Sequence, residues 1–164
     1  MKKILCSVIL MALAFSLLAS CERDDICAAA TPTTPKLVVE FFSADNPGQN
    51  RNVSNLAITE INVEDTLRFT GTSEISIPLR TDAIETTYIF NINSEAASGG
   101  RIDTLTFSYA TEELYVNRAC GFKVNFIDFR VRQANNNPLS WIQDLVINEI
   151  IIENESETHL SITY

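Results

Sequence analysis

This 164-residue sequence predicts an all-β fold, an antiparallel β-sandwich of roughly seven to nine strands. Beyond Lys36, apolar residues recur at period two, in short runs rich in β-branched and aromatic side chains. Clusters of Asn, Pro and Gly separate the runs, and no stretch after the leader sustains a long helical period. A partly closed β-barrel is the competing arrangement.

The first run, "KLVVEFF" (36–42), is followed by "NLAIT" (55–59) and "EISIPL" (74–79). Pro78 lacks an amide hydrogen, so the third run belongs at a sheet edge or a strand end. In "TTYIFNI" (86–92), Tyr88, Phe90 and Ile92 share one face, as do Leu105, Phe107 and Tyr109 in "DTLTFSYA" (103–110). "ELYVNR" (113–118) comes next. "GFKVNFIDFRVR" (121–132) starts with Phe122, Val124 and Phe126 in phase and ends with Ile127, Phe129 and Val131 in the other. A bulge or bend near Phe126–Ile127 reconciles the two phases. "DLVINEIIIE" (144–153) and "HLSITY" (159–164) complete the set, with Leu160, Ile162 and Tyr164 on one face. Turns are expected at 46–48, 98–100 and 135–138, and a short helical turn around Leu139–Gln143. The pentapeptides "DTLRF" (65–69) and "DTLTF" (103–107) resemble each other, but their flanks differ, so they are a coincidence or similar strand starts and not duplicated domains.

The segment before these strands has a different character. Lys2 and Lys3 precede an apolar run from Ile4 to Ala19, the pattern of a secretory signal peptide over 1–20. Leu18-Ala19-Ser20-Cys21 matches the bacterial lipobox, which makes Cys21 the lipidated first residue of the mature chain. Two or three buried acyl chains, at ~0.8 kcal/mol per CH₂, then hold the protein to a membrane without a spanning helix. Residues 21–35 form the lipidated N-terminus and a short Pro/Thr-rich lead-in, and 36–164 a single β-sandwich domain.

Cleavage removes Lys2, Lys3 and Cys6 but none of the 21 acidic residues, so the charge becomes more negative than the −9 of the whole chain. Such a surface repels phosphate backbones, which argues against nucleic acid as a partner. It also leaves membrane attachment to the lipid, since anionic lipid is repelled. With Cys21 acylated, Cys27 and Cys120 are the two remaining thiols in an oxidising compartment, where an even pair reads as a disulfide. Free buried thiols and intermolecular pairing are the alternatives. If bridged, only Glu22 to Ile26 separate the lipid from the bond, a reach of at most ~20 Å.

Signals of catalysis are thin. His159 is the one histidine and falls on the polar phase of the last strand, where a solvated side chain is the ordinary case. No nucleophile elbow, phosphate-binding glycine loop or paired metal-ligand spacing occurs, so no enzyme, metal or cofactor is expected. Glu153, Glu155 and Glu157 alternate and would converge if extended, although a solvated loop is the simpler reading. Trp141, beside Asn135–Asn137, is the candidate ligand contact: an exposed platform for a glycan or peptide, or else a plug in the sandwich.

The lipobox, "CERDDIC", "TPKLVVEFF", "NRACGFKVNF" and "WIQDLVINEIIIENE" together resemble the small Bacteroidota lipoproteins that carry the domain of unknown function numbered 6452. The resemblance covers nearly the whole mature chain. It implies a cell-envelope protein of the outer membrane with Cys27 and Cys120 brought together, and it implies no activity. Within that phylum, "CERDD" resembles a surface-export signal, with Arg23 where lysine is commoner. Asp65-Thr66-Leu67 and Asp103-Thr104-Leu105 resemble its O-glycosylation triplet, with Thr66 and Thr104 as acceptors. The expected role is non-enzymatic contact with an envelope protein near the bilayer, on either face of the membrane. The alternative is a surface glycan- or peptide-binding module.

Overall fold

The alternating residues of the chain fold into two sheets in the computed structural model, which describes residues 26–134 and 140–164. Among these residues there are nine strands and no helix. They are β1 (Leu37–Phe42), β2 (Leu56–Glu60), β3 (Thr66–Phe69), β4 (Glu74–Ile77), β5 (Glu85–Ile92), β6 (Arg101–Asn117), β7 (Gly121–Gln133), β8 (Asp144–Ile147) and β9 (Leu160–Thr163). One sheet has the order β4-β1-β9-β8 and the other β3-β2-β5-β6-β7. Neither sheet closes into a barrel, and the fold is a β-sandwich.

The chain divides into two compact units. The larger, residues 32–115 with 122–164, holds the core. From one sheet it takes Leu37, Val39, Phe41, Ile75, Ile77, Leu160 and Ile162, all at 3 % exposure or less. Leu56, Ile58, Phe90, Ile92, Leu105, Phe107, Phe126 and Phe129 come from the other sheet and are equally buried. Tyr88–Phe90–Ile92 and Leu105–Phe107–Tyr109 thus point inward as their period demands. Phe107 stacks on Phe129 at 5.8 Å between centroids. Most neighbouring strands run antiparallel, but β1 and β9 pair in parallel, Val39 opposite Leu160 and Phe41 opposite Ile162.

The smaller unit comprises, of the described residues, 26–31 with Val116–Gly121. A turn links Thr31 N–H to Ala28 O (2.9 Å). The Asn117 side-chain oxygen accepts from Ala119 N–H (2.9 Å) and Cys120 N–H (2.8 Å), and Gly121 follows at φ 72°. That asparagine caps the tight turn which presents Cys120.

The strand boundaries depart from the sequence reading in four places. β3 is not among the candidate runs: its four residues alternate only between exposed and half-buried, and they gain their place by pairing with β2, Leu56 opposite Phe69. The runs 103–110 and 113–118 are one strand, since Ala110-Thr111-Glu112 contains no turn former. The run 144–153 serves both sheets. Its start is β8, whereas Ile152 bridges Phe126 of β7, and the amides of Asn148 and Glu149 both donate to His159 O where the chain bends. The expected helical turn near Leu139–Gln143 does not form at 140–143, where the amides of Trp141 and Ile142 donate to Asp103 and that of Gln143 to Thr163 O (2.9 Å); Leu139 lies outside the described residues.

Two expectations are met. β4 is an edge strand that stops before Pro78. In β7 the phase changes at a bulge: Phe126 pairs with Ile152 but Phe129 N–H reaches Ile150 O (2.9 Å), and Asp128 between them has φ 55°.

Candidate functional site

Of the residues singled out by sequence, Cys27 and Cys120 are brought together as a disulfide across a separation of 93 residues. Cys21, with its lipobox and the "ERDD" that follows, lies outside the described residues, as does the loop 135–138.

Trp141 is not an exposed platform. It is 2 % exposed, its indole N–H donates to Phe90 O (3.3 Å), and its ring lies 5.1 Å from that of Tyr164 and 6.5 Å from that of Phe41. Asp103, which the sequence singles out only as the first residue of a glycosylation-like triplet, holds it there. Asp103 is 1 % exposed, and its Oδ2 accepts the backbone amides of Trp141 (2.8 Å) and Ile142 (3.0 Å), while Oδ1 accepts Gln133 Nε2 (3.0 Å). A buried carboxylate needs such donors, and these three come from segments 30 to 39 residues away. The aspartate of the second Asp-Thr-Leu triplet therefore ties the 140–143 segment to β6, and Thr104 beside it is half-buried. In the first triplet Thr66 is exposed on edge strand β3, its hydroxyl 2.8 Å from that of Thr59.

His159 is likewise not solvated. It is 2 % exposed, and its Nδ1 accepts Val38 N–H at 2.9 Å, while its own amide donates to Val38 O (3.1 Å). An acceptor Nδ1 requires the neutral ring, and burial pushes its pKa down, against the opposing pull of Glu149, Glu157 and Glu155. His159 thus clamps β9 to β1. Glu153, Glu155 and Glu157 are exposed in an irregular segment, where Glu155 Oε1 accepts Lys36 N–H (3.0 Å). No group of three His, Cys, Asp or Glu side chains suited to a metal ion occurs among the described residues.

A second polar cluster fastens the β4–β5 connection. Tyr88 OH donates to Pro78 O (2.7 Å) and Tyr109 OH to Arg80 O (2.8 Å), and Arg80 N–H donates to Thr86 Oγ1 (2.9 Å). Burial, followed by the nearby Glu60 charge, raises the Tyr88 phenol to about 12. These tyrosines are neutral hydrogen-bond donors that pin a chain crossing from one sheet to the other.

A concave surface lies elsewhere, around the β5–β6 loop. Asn55, Asn93, Glu95, Ala96, Ser98, Gly100 and Arg101 line an open cleft of about 520 Å³. A smaller recess of about 110 Å³ adjoins it between Asn55, Arg68, Phe69, Thr70 and Ser94. Two left-handed asparagines shape the rim, Asn55 at φ 44° and Asn93 at φ 54°. Ser94 joins them, donating both N–H (3.0 Å) and Oγ–H (2.8 Å) to Asn55 O. Gly100 has φ 80°, and a Cβ there would fall 2.2 Å from Asn91 Oδ1 and 2.5 Å from Ile92 O, so glycine alone fits. The lining offers amides, hydroxyls, a carboxylate and guanidinium groups. It suits hydrogen bonding to a polar ligand and contains no cysteine or histidine to serve as nucleophile or base. Sequence gave no sign of it beyond the Ser-Gly-Gly turn.

Two facing sheets around one apolar core, with a disulfide and an open polar cleft, define a β-sandwich domain. Residues 53–164, more than half of the chain, match the model described as "Family of unknown function (DUF6452)", and the chain belongs to that family. The matched span contains Asp103, Cys120, Trp141 and His159 and begins after β1 and Cys27. No curated protein and no solved structure matches the chain.

Proposed function

We propose that this protein is an exported lipoprotein of the outer membrane, anchored through acylated Cys21, which acts without catalysis by contacting an envelope protein close to the bilayer. The Cys27–Cys120 disulfide is the observation that carries the reading. A disulfide fits an oxidising compartment, and this pairing leaves Cys21 as the unpaired thiol once Cys6 departs with the leader. The five residues from Glu22 to Ile26 then keep Cys27 within ~20 Å of the lipid. The partner is accordingly one that resides at the membrane.

The test is metabolic labelling with an alkyne fatty acid in the native host, followed by crosslinking of intact envelopes. The wild-type chain takes up label and Cys21→Ala does not, and one envelope protein is recovered reproducibly with the first only. Labelling that survives Cys21→Ala, or crosslinking that yields no reproducible partner, would refute the proposal.

The cleft beside Asn55, Asn93 and Arg101 favours a second reading, a surface module that binds a glycan or peptide. Its site is this cleft and no longer Trp141. Protease shaving of intact cells tests this second reading: a surface module is cleaved before permeabilisation, and a chain cleaved only after permeabilisation refutes it.

A further inference from the structure

The period-two burial of β6 ends at Tyr109; from Ala110 to Asn117 no side chain is buried. The strand nevertheless continues, and two aromatic rings stand on this extension. Tyr115 near the end of β6 is 62 % exposed, and Phe122 at the start of β7 is 64 % exposed. Their centroids lie 5.4 Å apart in an edge-to-face pair. The two rings contact each other while remaining mostly in water, an arrangement that costs apolar exposure and contributes little to the core.

We propose that the Tyr115–Phe122 pair is a lipid-docking surface that seats in the headgroup region of the membrane to which Cys21 is anchored. The proposal rests on the acylation reading above, and three observations favour lipid as the occupant. The first is reach. Phe122 is two residues beyond Cys120, which is bonded to Cys27 at a Cα separation of 4.9 Å, and Cys27 follows Cys21 by six residues. Along this covalent path Phe122 lies no more than about 34 Å from the acylated residue. The second is charge. Leu114 to Lys123 contains Arg118 and Lys123 and no acid, in a chain with 21 acidic residues. Glu112 and Glu113 precede it and Lys123 Nζ also donates to Glu153 O (3.2 Å), but this stretch is where an anionic headgroup meets the least repulsion on so acidic a chain. The third is chemistry: tyrosine and phenylalanine with flanking bases are the side chains that settle at a bilayer interface, rings among the upper acyl carbons and cations among the phosphates.

The experiment uses full-length chain, processed in its host and reconstituted in phosphatidylethanolamine–phosphatidylglycerol vesicles, with Phe122→Trp as the probe. The native tryptophan, Trp141, is buried and reports that the fold is intact. Mass spectrometry of the N-terminal peptide first establishes whether Cys21 is acylated. The expected result is that the introduced indole shifts to the blue on reconstitution and loses most of its emission with brominated lipid, while the Trp141 contribution is unchanged.

An acylated, vesicle-bound chain whose introduced indole stays red-emitting and open to acrylamide overturns the docking surface and leaves the anchor standing. If Cys21 proves unacylated, the anchor reading falls, and vesicle sedimentation of the same chain decides the rest. Partition that drops about tenfold in Tyr115→Ser/Phe122→Ser supports the surface on its own. Absence of partition, or partition indifferent to the double substitution, overturns it. An introduced indole that is shielded only in crosslinked native envelopes, and not in vesicles, also overturns it and points to a protein partner.

Discussion

Replacing Asp103 by alanine removes one buried carboxylate and leaves three donors facing a void. The amides of Trp141 and Ile142, in residues only 2 % and 5 % exposed, lose their acceptor, and Gln133 Nε2 loses one of its three. A hydrogen bond to a charged group contributes ~1.5–3 kcal/mol, but three sharing one acceptor are not additive, and a water molecule can enter a site of this polarity. The expected loss is therefore ~3–5 kcal/mol, a large part of a typical domain's stability. Asp103→Asn provides the control. Its amide oxygen can keep both backbone donors if its nitrogen turns toward Gln133, whose side chain must then flip and give up its bonds to Ser140 Oγ (2.9 Å) and Ile142 O (3.4 Å). That change costs less, ~1–2 kcal/mol. Urea unfolding of the oxidised protein measures both, with an unchanged slope indicating that the midpoint shift is stability. Near-ultraviolet circular dichroism of Trp141 should weaken in the alanine variant as its segment loosens. A loss under ~1 kcal/mol for Asp103→Ala, or equal losses for the two variants, would show that the carboxylate does not hold the segment.

Further predictions follow from the same contacts. Trp141→Ala empties a core position beside Phe41 and Tyr164 and should cost ~3–5 kcal/mol, read as a fall in melting temperature; an unchanged melting temperature would return the residue to the surface. His159 has a lowered pKa in the fold, so the unfolded chain binds the proton more readily; stability is full above the unfolded value of ~6.5 and declines as pH falls toward the folded one. Urea midpoints between pH ~8 and ~5 should show this decline in wild type and a shallower one in His159→Gln, after allowing for the carboxylates common to both. Reduction of the Cys27–Cys120 bond, or Cys27→Ser, releases a loop of 93 residues and should lower stability by up to ~4–5 kcal/mol, measured by thermal unfolding with and without reductant. A reduced protein with the oxidised protein's melting temperature would contradict that estimate.

What the sequence determined by itself is local in origin. A strand alternates its side chains between two faces, so Tyr88–Phe90–Ile92 and Leu105–Phe107–Tyr109 announce their buried faces whatever they pack against. The phase change inside 121–132 announces a bulge for the same reason, and Pro78 an end to pairing. The Cys27–Cys120 pair was legible because few thiols remain to choose from.

The rest depended on contacts between distant segments, which no local pattern encodes. The parallel pairing of β1 with β9 and the division of 144–153 between sheets follow from how the two faces close over one core. β3 exists only through its partner β2. Asp103, Trp141 and His159 are the clearest cases: each residue type is at home in water or inside, and burial depends on whether partners such as Gln133, Phe90 and Val38 arrive from elsewhere in the chain. The polar cleft has the same origin, since its asparagines belong to different turns that meet only after the sheets have formed. Hydrophobic period is written residue by residue, whereas the satisfaction of a buried polar group is a property of the assembled fold.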